Sequence, residues 1–428
     1  MYFAARKQHE EADRLIGAMY AGKVGWGVRE RAQDLKLRAV FATVEADARK
    51  SAALARLVYG LPDAALLARI DPVLPSLGPQ PGNTGLDALL HFARFEADWR
   101  REPEEWEPDS PNPAEQVYSL ANHLFAWYPP PYFLAAAWLY GTDAMAETYR
   151  QWFVRLARGD KLESIRFPMP MTHRAAHFFL QAPSEFSIPA AMRFGQIRAL
   201  GGSERLARLV AESFLNDLQT DEPFWFSVVT FLVNHPELSG AEAGPLLDYL
   251  RFRKFGTKGA DAPEPRFSMK GRTVAALRKR LEEWHETLAR LNVKGRRHWQ
   301  NTGIEPLDRI VPDSLSGAEC HWRIVEITDT LSLAEEGREM RHCVRSYQDG
   351  CVEGKTSIWS LRLSLSDNPA MRRLLTIEVN NARRAIVQVR GKCNQTVAAM
   401  HGNKRMRQAR EVLKEWAFRE RLGISCSL

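Results

Sequence analysis

From Cys320 onward the apolar residues stop recurring every three or four positions and begin to alternate. Trp359, Leu361 and Leu363 are separated by Ser360 and Arg362, and Leu375, Ile377 and Val379 by Thr376 and Glu378. Val387 and Val389 flank Gln388 and are followed by Arg390. Successive side chains of a strand point to opposite faces, so a period of two predicts strands with one apolar and one polar face. Strands are expected over 321–327, 357–365, 374–379 and 385–390, with Asn380 to Arg384 as a hairpin loop. Their shared polar face would carry Ser360, Arg362, Thr376, Glu378, Gln388 and Arg390. Lys392 and Asn394 follow just past the last strand, after Gly391.

Upstream the spacing is helical. Ala, Leu and Val recur at three and four from Arg31 to about Ile70, and a further helix is expected from Leu86 to Trp99. Between Val117 and Leu250 helices are separated by prolines, as in Tyr128-Pro129-Pro130-Pro131 and Phe167-Pro168-Met169-Pro170. Val274, Leu277, Leu281, Trp284, Leu288 and Leu291 form one apolar stripe, and Met406, Ala409, Leu413 and Trp416 another near the end of the chain. The expected class is α+β: a large irregular α-helical N-terminal region, then a small domain in which a mostly antiparallel sheet packs with helices. Segments are expected at 1–110, 111–256, 257–314 and 315–428. The acidic, proline-bearing run REPEEWEPDSPNPAEQ, from Arg101 to Gln116, reads either as a linker or as a plain surface loop. Trp127, Trp138, Trp152 and Trp225 could stack on bases, but tryptophan at helical spacing more often belongs to a core.

At 428 residues the chain can bury two or three cores. An excess of 59 Lys and Arg over 52 Asp and Glu leaves +7, which permits an anionic partner without demanding one. The five cysteines (Cys320, Cys343, Cys351, Cys393 and Cys426) are odd in number and lack close CxxC pairs, which argues against a disulfide framework. The N-terminus lacks the order of a signal peptide, and no apolar run reaches the roughly 18 residues of a membrane helix. A reducing, cytoplasmic setting without membrane insertion is expected.

The polar residues least easily explained by packing are densest from Ser332 to Arg362. Ser332-Leu333-Ala334-Glu335 fits a capping box, so a helix is expected to begin there and to bury Leu333, Gly337, Met340, Val344 and Tyr347. Glu336 and Cys343 would flank that stripe. His342 would point almost opposite it, because neighbours on a helix diverge by about 100°. His342 is therefore poorly placed to deprotonate Cys343, and a nucleophilic Cys343 would need a base such as His321 or His401. A partly buried, structural Cys343 is the alternative. Cys320, His321, His342, Cys343, Cys351 and Cys393 could supply zinc ligands, but their spacing matches no zinc knuckle, and no metal site is assigned. The sequence identifies no cofactor.

These residues resemble the PcfJ-like family, known from conjugative plasmids and many bacterial genomes. The resemblance rests on Glu336-Gly337, Met340, His342-Cys343-Val344, Tyr347, Cys351 and Gly354. It continues through Ser360-Leu361-Arg362, Thr376-Ile377-Glu378 and Val387 to Asn394, and covers about Ser268 to Phe418. It implies an association with mobile elements, hence possible DNA or RNA and conjugation-protein partners, and no established reaction. Three functions follow. The first is a nucleic-acid-associated accessory protein, with Arg362, Gln388, Arg390, Lys392 and Asn394 binding anions. The second is a hydrolase or transferase using His342 or Cys343 with Glu378 on an anionic substrate. The third is a non-enzymatic scaffold.

Overall fold

A computed structural model describes the chain apart from residues 1, 21–23, 63–64, 75–81, 142, 162–164, 239, 257–263, 292–296, 313–318, 341–343, 345–346, 367, 393–394, 396, 398–403, 425 and 427–428. The chain divides into two compact units, Met1–Ala199 and Leu200–Leu428.

The first unit is helical: α1 (Tyr2–Tyr20), α2 (Arg29–Val44), α3 (Ala48–Tyr59), α4 (Gly85–Arg94), α5 (Pro113–Phe125), α6 (Ala144–Ala157), α7 (His173–Leu180) and α8 (Ile188–Ala199). Most caps follow from sequence. Asp47, Thr84, Asn112, Asp143 and Thr172 each accept backbone N–H bonds at the first turn of the following helix. Trp138 sits at the centre, stacked 5.0 Å from Phe125 and with the tilted Phe92 ring 4.8 Å away. A buried ion cluster ties α1, α2 and α4 together, with Lys36 Nζ 2.6 Å from Asp13 and 2.7 Å from Asp87. A buried ammonium needs such partners, since isolated in low dielectric it would lose its proton. Where α7 and α8 cross, a Cβ on Gly195 would stand 2.5 Å from the Ala175 carbonyl oxygen, so only glycine permits the approach.

The second unit is α+β. Helices α9 (Glu204–Ala211), α10 (Glu222–Asn234), α11 (Gly240–Phe255) and α12 (Val274–Leu291) precede a six-stranded sheet in the order β1 to β6. Its strands are β1 (Leu307–Pro312), β2 (Glu319–Ile327), β3 (Thr356–Leu365), β4 (Asn368–Asn380), β5 (Ala385–Arg390) and β6 (Gly423–Ile424). All neighbours are antiparallel except β5 and β6, which are parallel. Helices α13 (Thr330–Met340) and α14 (Gln348–Val352) lie between β2 and β3, and α15 (Lys404–Arg419) lies between β5 and β6.

One sheet face and α15 share the main core. Trp359, Leu361, Leu363, Leu375, Ile377 and Val379 meet Met406, Ala409, Leu413 and Trp416, with the Trp359 and Trp416 rings 4.9 Å apart. A smaller core holds Ile327, Leu333, Val344, Cys351 and Ile358, with Tyr347 against it. Of the three register shifts in the ladders, two change which side chains reach each face. Leu361 pairs with Leu375 but Arg362 with Arg373, and Glu378 pairs with Gln388 but Val379 with Ile386. Ile386, rather than the expected Val387, therefore enters the core beside Val389. Trp416 is fully buried. Trp416→Ala is expected to destabilise the second unit by about 3–5 kcal/mol, measured by chemical denaturation, because the cavity cannot close around so large a loss.

Candidate functional site

The polar face of β3, β4 and β5 is covered by the segment that contains α13. The helix begins at Thr330, capped by Asp329 rather than by Ser332. Asp329 Oδ1 accepts the Leu331 and Ser332 N–H groups at 2.9 and 3.0 Å, and Oδ2 accepts the Ser332 hydroxyl at 2.6 Å. Burial alone would raise the Asp329 pKa, but these bonds hold it below the ordinary value. The buried residues of the helix are Thr330, Leu333, Glu336 and Met340. Glu336 replaces the expected Gly337 on the face turned to the sheet.

A fully buried carboxylate must be supplied with donors, and the sheet provides them. The Thr376 hydroxyl donates to Glu336 Oε1 at 2.6 Å, and Ser360 adds a second hydroxyl bond. Arg373 Nε lies 3.0 Å from Oε2, an ion pair in which the N–H is not aligned for a hydrogen bond. Arg373 also reaches Glu335 at 3.3 Å. Ser360 in turn accepts from Arg362 Nε at 3.0 Å. Burial raises the Glu336 pKa, opposed by the two hydroxyls and by the charges of Arg373 and Arg362.

The strand register explains this crowding of cations. Arg323 pairs with Arg362 across β2 and β3, and Arg362 pairs with Arg373 across β3 and β4, where the bulge at Leu374 turns Arg373 to the polar side. Three guanidinium groups thus share one row. Asp308 compensates Arg323 at 3.2 Å, while Glu335 and Glu336 compensate Arg373. Arg362, in the middle, is held below its ordinary pKa by burial and by the flanking arginines, with Glu336 opposing.

A second polar group lies further along β4 and β5. Tyr347 donates to Gln388 Oε1 at 2.9 Å, and Thr356 donates to Glu378 Oε1 at 3.2 Å. Burial raises the Glu378 pKa, opposed by Thr356, Tyr347 and Arg390. Arg390 donates to the Glu212 carbonyl at 2.6 Å, at the end of α9. It also faces Asp248 of α11, whose carboxyl burial lifts to about 7 against the charges of Arg390 and Arg251.

Of the residues singled out from sequence, the structure brings Arg362, Glu378, Gln388 and Arg390 to one face. Lys392 stands exposed beyond β5. His342, Cys343 and Asn394 lie outside the described residues, as does His401. The chain on both sides of His342 and Cys343 is nevertheless anchored to this face, through Glu336 to Thr376 and through Tyr347 to Gln388. His321 pairs with Asp308 at 2.6 Å. Cys320 belongs to the core beneath α15 and Cys351 to the small core on the opposite side. Burial and the nearby carboxylates of Glu378 and Glu326 push the Cys351 thiol up to about 12. Among the described residues no group of three or more His, Cys, Asp or Glu could hold a metal ion. Arg373 and Arg323 were not anticipated, and Glu336 was expected only to flank the buried stripe. A glutamate three residues after Leu333 and four before Met340 was the available signal for Glu336.

A small mixed sheet roofed on its polar side by a helix that inserts a carboxylate among arginines defines the C-terminal region. Residues 278–404 are similar to a known family: they match the family model for PcfJ-like protein. No curated protein and no solved structure matches the chain.

Three outcomes test this geometry. Thr376→Val removes a donor from a buried carboxylate and is expected to lower stability by about 1–3 kcal/mol. The Glu336 pKa is raised on folding, so the native state holds that proton more tightly and stability falls as pH rises past the unfolded value. Glu336→Gln removes this component, and its denaturation free energy is expected to fall less than that of the wild type as pH rises above the unfolded glutamate value. Iodoacetamide followed by peptide mapping is expected to leave Cys351 unlabelled in the native protein near neutral pH.

Proposed function

We propose that the protein is a nucleic-acid-associated accessory protein whose phosphate contacts are made by exposed cations of the C-terminal region. The supporting observation is the placement of charge. Leu200–Leu428 holds 36 Lys and Arg against 29 Asp and Glu, while Met1–Ala199 holds 23 of each, so the second unit carries the whole excess. Residues 371–428 alone hold 13 cations against four anions. Arg372, Arg383, Lys392, Lys404 and Arg407 among them are exposed. Lys404 and Arg407 also line a groove of about 570 Å³ between α15 and the β1–β2 hairpin, beside Arg309 and Gln408 and with Glu411 and Glu415 on the same wall of α15. Neither Lys404 nor Arg407 has a carboxylate partner among the described residues.

In this reading Arg362 and Arg390 serve the interior and not the phosphate backbone, because Ser360, Glu336 and the Glu212 carbonyl already engage them. The plasmid association of the family favours DNA as the polyanion and transfer or other mobile-element proteins as partners. Among the described residues no helix is long and apolar enough to cross a membrane, and a cytoplasmic place of action accords with that reading.

Fluorescence anisotropy with a short labelled oligonucleotide, repeated over a salt series, tests the proposal. Affinity should fall steeply with salt as condensed counterions are released. Lys404→Gln with Arg407→Gln should weaken binding and make the log–log slope shallower by about two, while Arg362→Ala should leave the slope unchanged. The idea fails if the protein does not bind at low salt, or if the double variant binds like the wild type.

A second reading, an enzyme acting on a compact anionic substrate, draws on the buried Glu336 beside Arg362 and Arg373. Glu336 would exchange a proton, and the arginines would hold a phosphate or carboxylate. His342, Cys343 and Glu378 are the further candidates. If phosphate or pyrophosphate raises the melting temperature and Arg362→Gln abolishes the shift, this reading gains. An unchanged shift in that variant removes the arginine row as the site.

A further inference from the structure

The acidic run that reads as a linker or a loop is folded in the first unit and forms one wall of a pocket. Trp106 anchors it, only 3% exposed, with its indole N–H donating to Ser119 at 3.1 Å. The opposite wall is the segment after α5. Trp127 and Tyr128 both direct their backbone N–H groups to the Ala157 carbonyl, at 2.9 and 3.1 Å, and three prolines follow. The pocket between them measures about 740 Å³.

Its lining is chemically one-sided. Tyr118 and Tyr132 meet with ring centroids 4.9 Å apart, and Trp127 is 63% exposed at the mouth. The Arg100 guanidinium already rests 5.7 Å from the Trp127 ring centroid, so this indole takes a cation on its π-face within the protein itself. Three carboxylates, Glu107, Asp109 and Glu115, line the same pocket against one lining cation, Arg101. Glu115 is engaged by Ser110 and Asn112, whereas Glu107 and Asp109 are exposed and have no ion-pair partner among the described residues. Asn122 and Ser119 of α5 add to the polar lining.

An anionic ligand would meet three carboxylates here. A neutral ligand would leave the carboxylates uncompensated, and a quaternary ammonium could donate no hydrogen bond to them. We propose that this pocket is a binding site for an organic cation bearing N–H donors, a primary alkylammonium or guanidinium group. The π-faces would attract its charge, and Glu107 and Asp109 would accept its N–H bonds. Such a group could belong to a free amine or to a basic side chain of a peptide.

Calorimetric titration of the full-length chain tests this with n-butylguanidine, its neutral isostere N-butylurea, and an acetylated Gly-Arg-Gly amide. Butylguanidine should bind saturably and N-butylurea at least about tenfold more weakly, since only the first carries the charge. Trp127→Ala, and separately Glu107→Gln with Asp109→Asn, should each weaken butylguanidine about three- to thirtyfold. These positions are exposed, so the variants should keep the wild-type circular dichroism spectrum. A peptide affinity well above that of butylguanidine would identify a basic segment of a partner protein as the ligand, and equal affinities a free cation. The proposal is overturned if no cation binds up to about 10 mM, if N-butylurea binds as tightly, or if both variants bind like the wild type.

Discussion

The contact between Glu336 and the sheet fixes the arrangement of the C-terminal region. A carboxylate with no exposure to water is stable only where donors or cations meet it, and removing any of them leaves an unfavourable buried charge or acceptor. Glu336 finds Thr376, Ser360 and Arg373 on the polar face of β3 and β4. Few other positions of α13 over the sheet would satisfy it, so one carboxylate sets both the orientation of the helix and its register along β4. Leu333 and Met340, on the same stripe, add apolar burial with little directional preference of their own.

The arginine row follows from this constraint. Three like charges on neighbouring strands repel one another unless anions stand beside them. Asp308, Glu335 and Glu336 supply three negative charges to Arg323, Arg362 and Arg373, so the covered face is close to neutral. A near-neutral, roofed face projects little field into solvent. The positive excess of the unit therefore lies elsewhere, on β4, on the β4–β5 turn and on α15, where side chains are exposed and long-range attraction of a polyanion is possible.

Much of the sheet was legible from sequence because its apolar face alternates cleanly. Strands β3 and β5 fall within about a residue of the expected bounds, and α15 carries the expected Met406, Ala409, Leu413 and Trp416 stripe. Edge strand β1 was missed because Leu307–Pro312 is mostly exposed and its apolar residues do not alternate, and β6 because two residues in parallel pairing leave no pattern. Neither bulge could be read: Leu374 and Val387 look like ordinary members of an alternating run, and only cross-strand pairing shows the inserted residue. The gathering of Arg362, Glu378, Gln388 and Arg390 on one face was legible for the same reason as the strands. Glu336 was not, since glutamate on a helix is ordinarily solvated, and its burial depends on hydroxyls about 25 to 40 positions away in the chain. The cap shifted for a related reason. Asp329 and Ser332 are both good N-caps, and sequence preference alone does not rank them.

The two faces of the sheet thus divide their physical roles. Against α15, Trp359, Leu361, Ile377 and Trp416 supply burial that is large, non-directional and tolerant of small shifts. Against α13, a few directional contacts contribute less net stability but allow few alternative arrangements, because each unmet donor or acceptor is penalised. The apolar face can therefore hold the fold while the polar face holds a geometry. That division lets polar residues on one side of a small sheet be placed closely enough for binding or chemistry without carrying the stability of the domain. It also explains why the chain on both sides of His342 and Cys343 is tied down by hydrogen bonds, Glu336 to Thr376 and Tyr347 to Gln388, on the face where position matters more than burial.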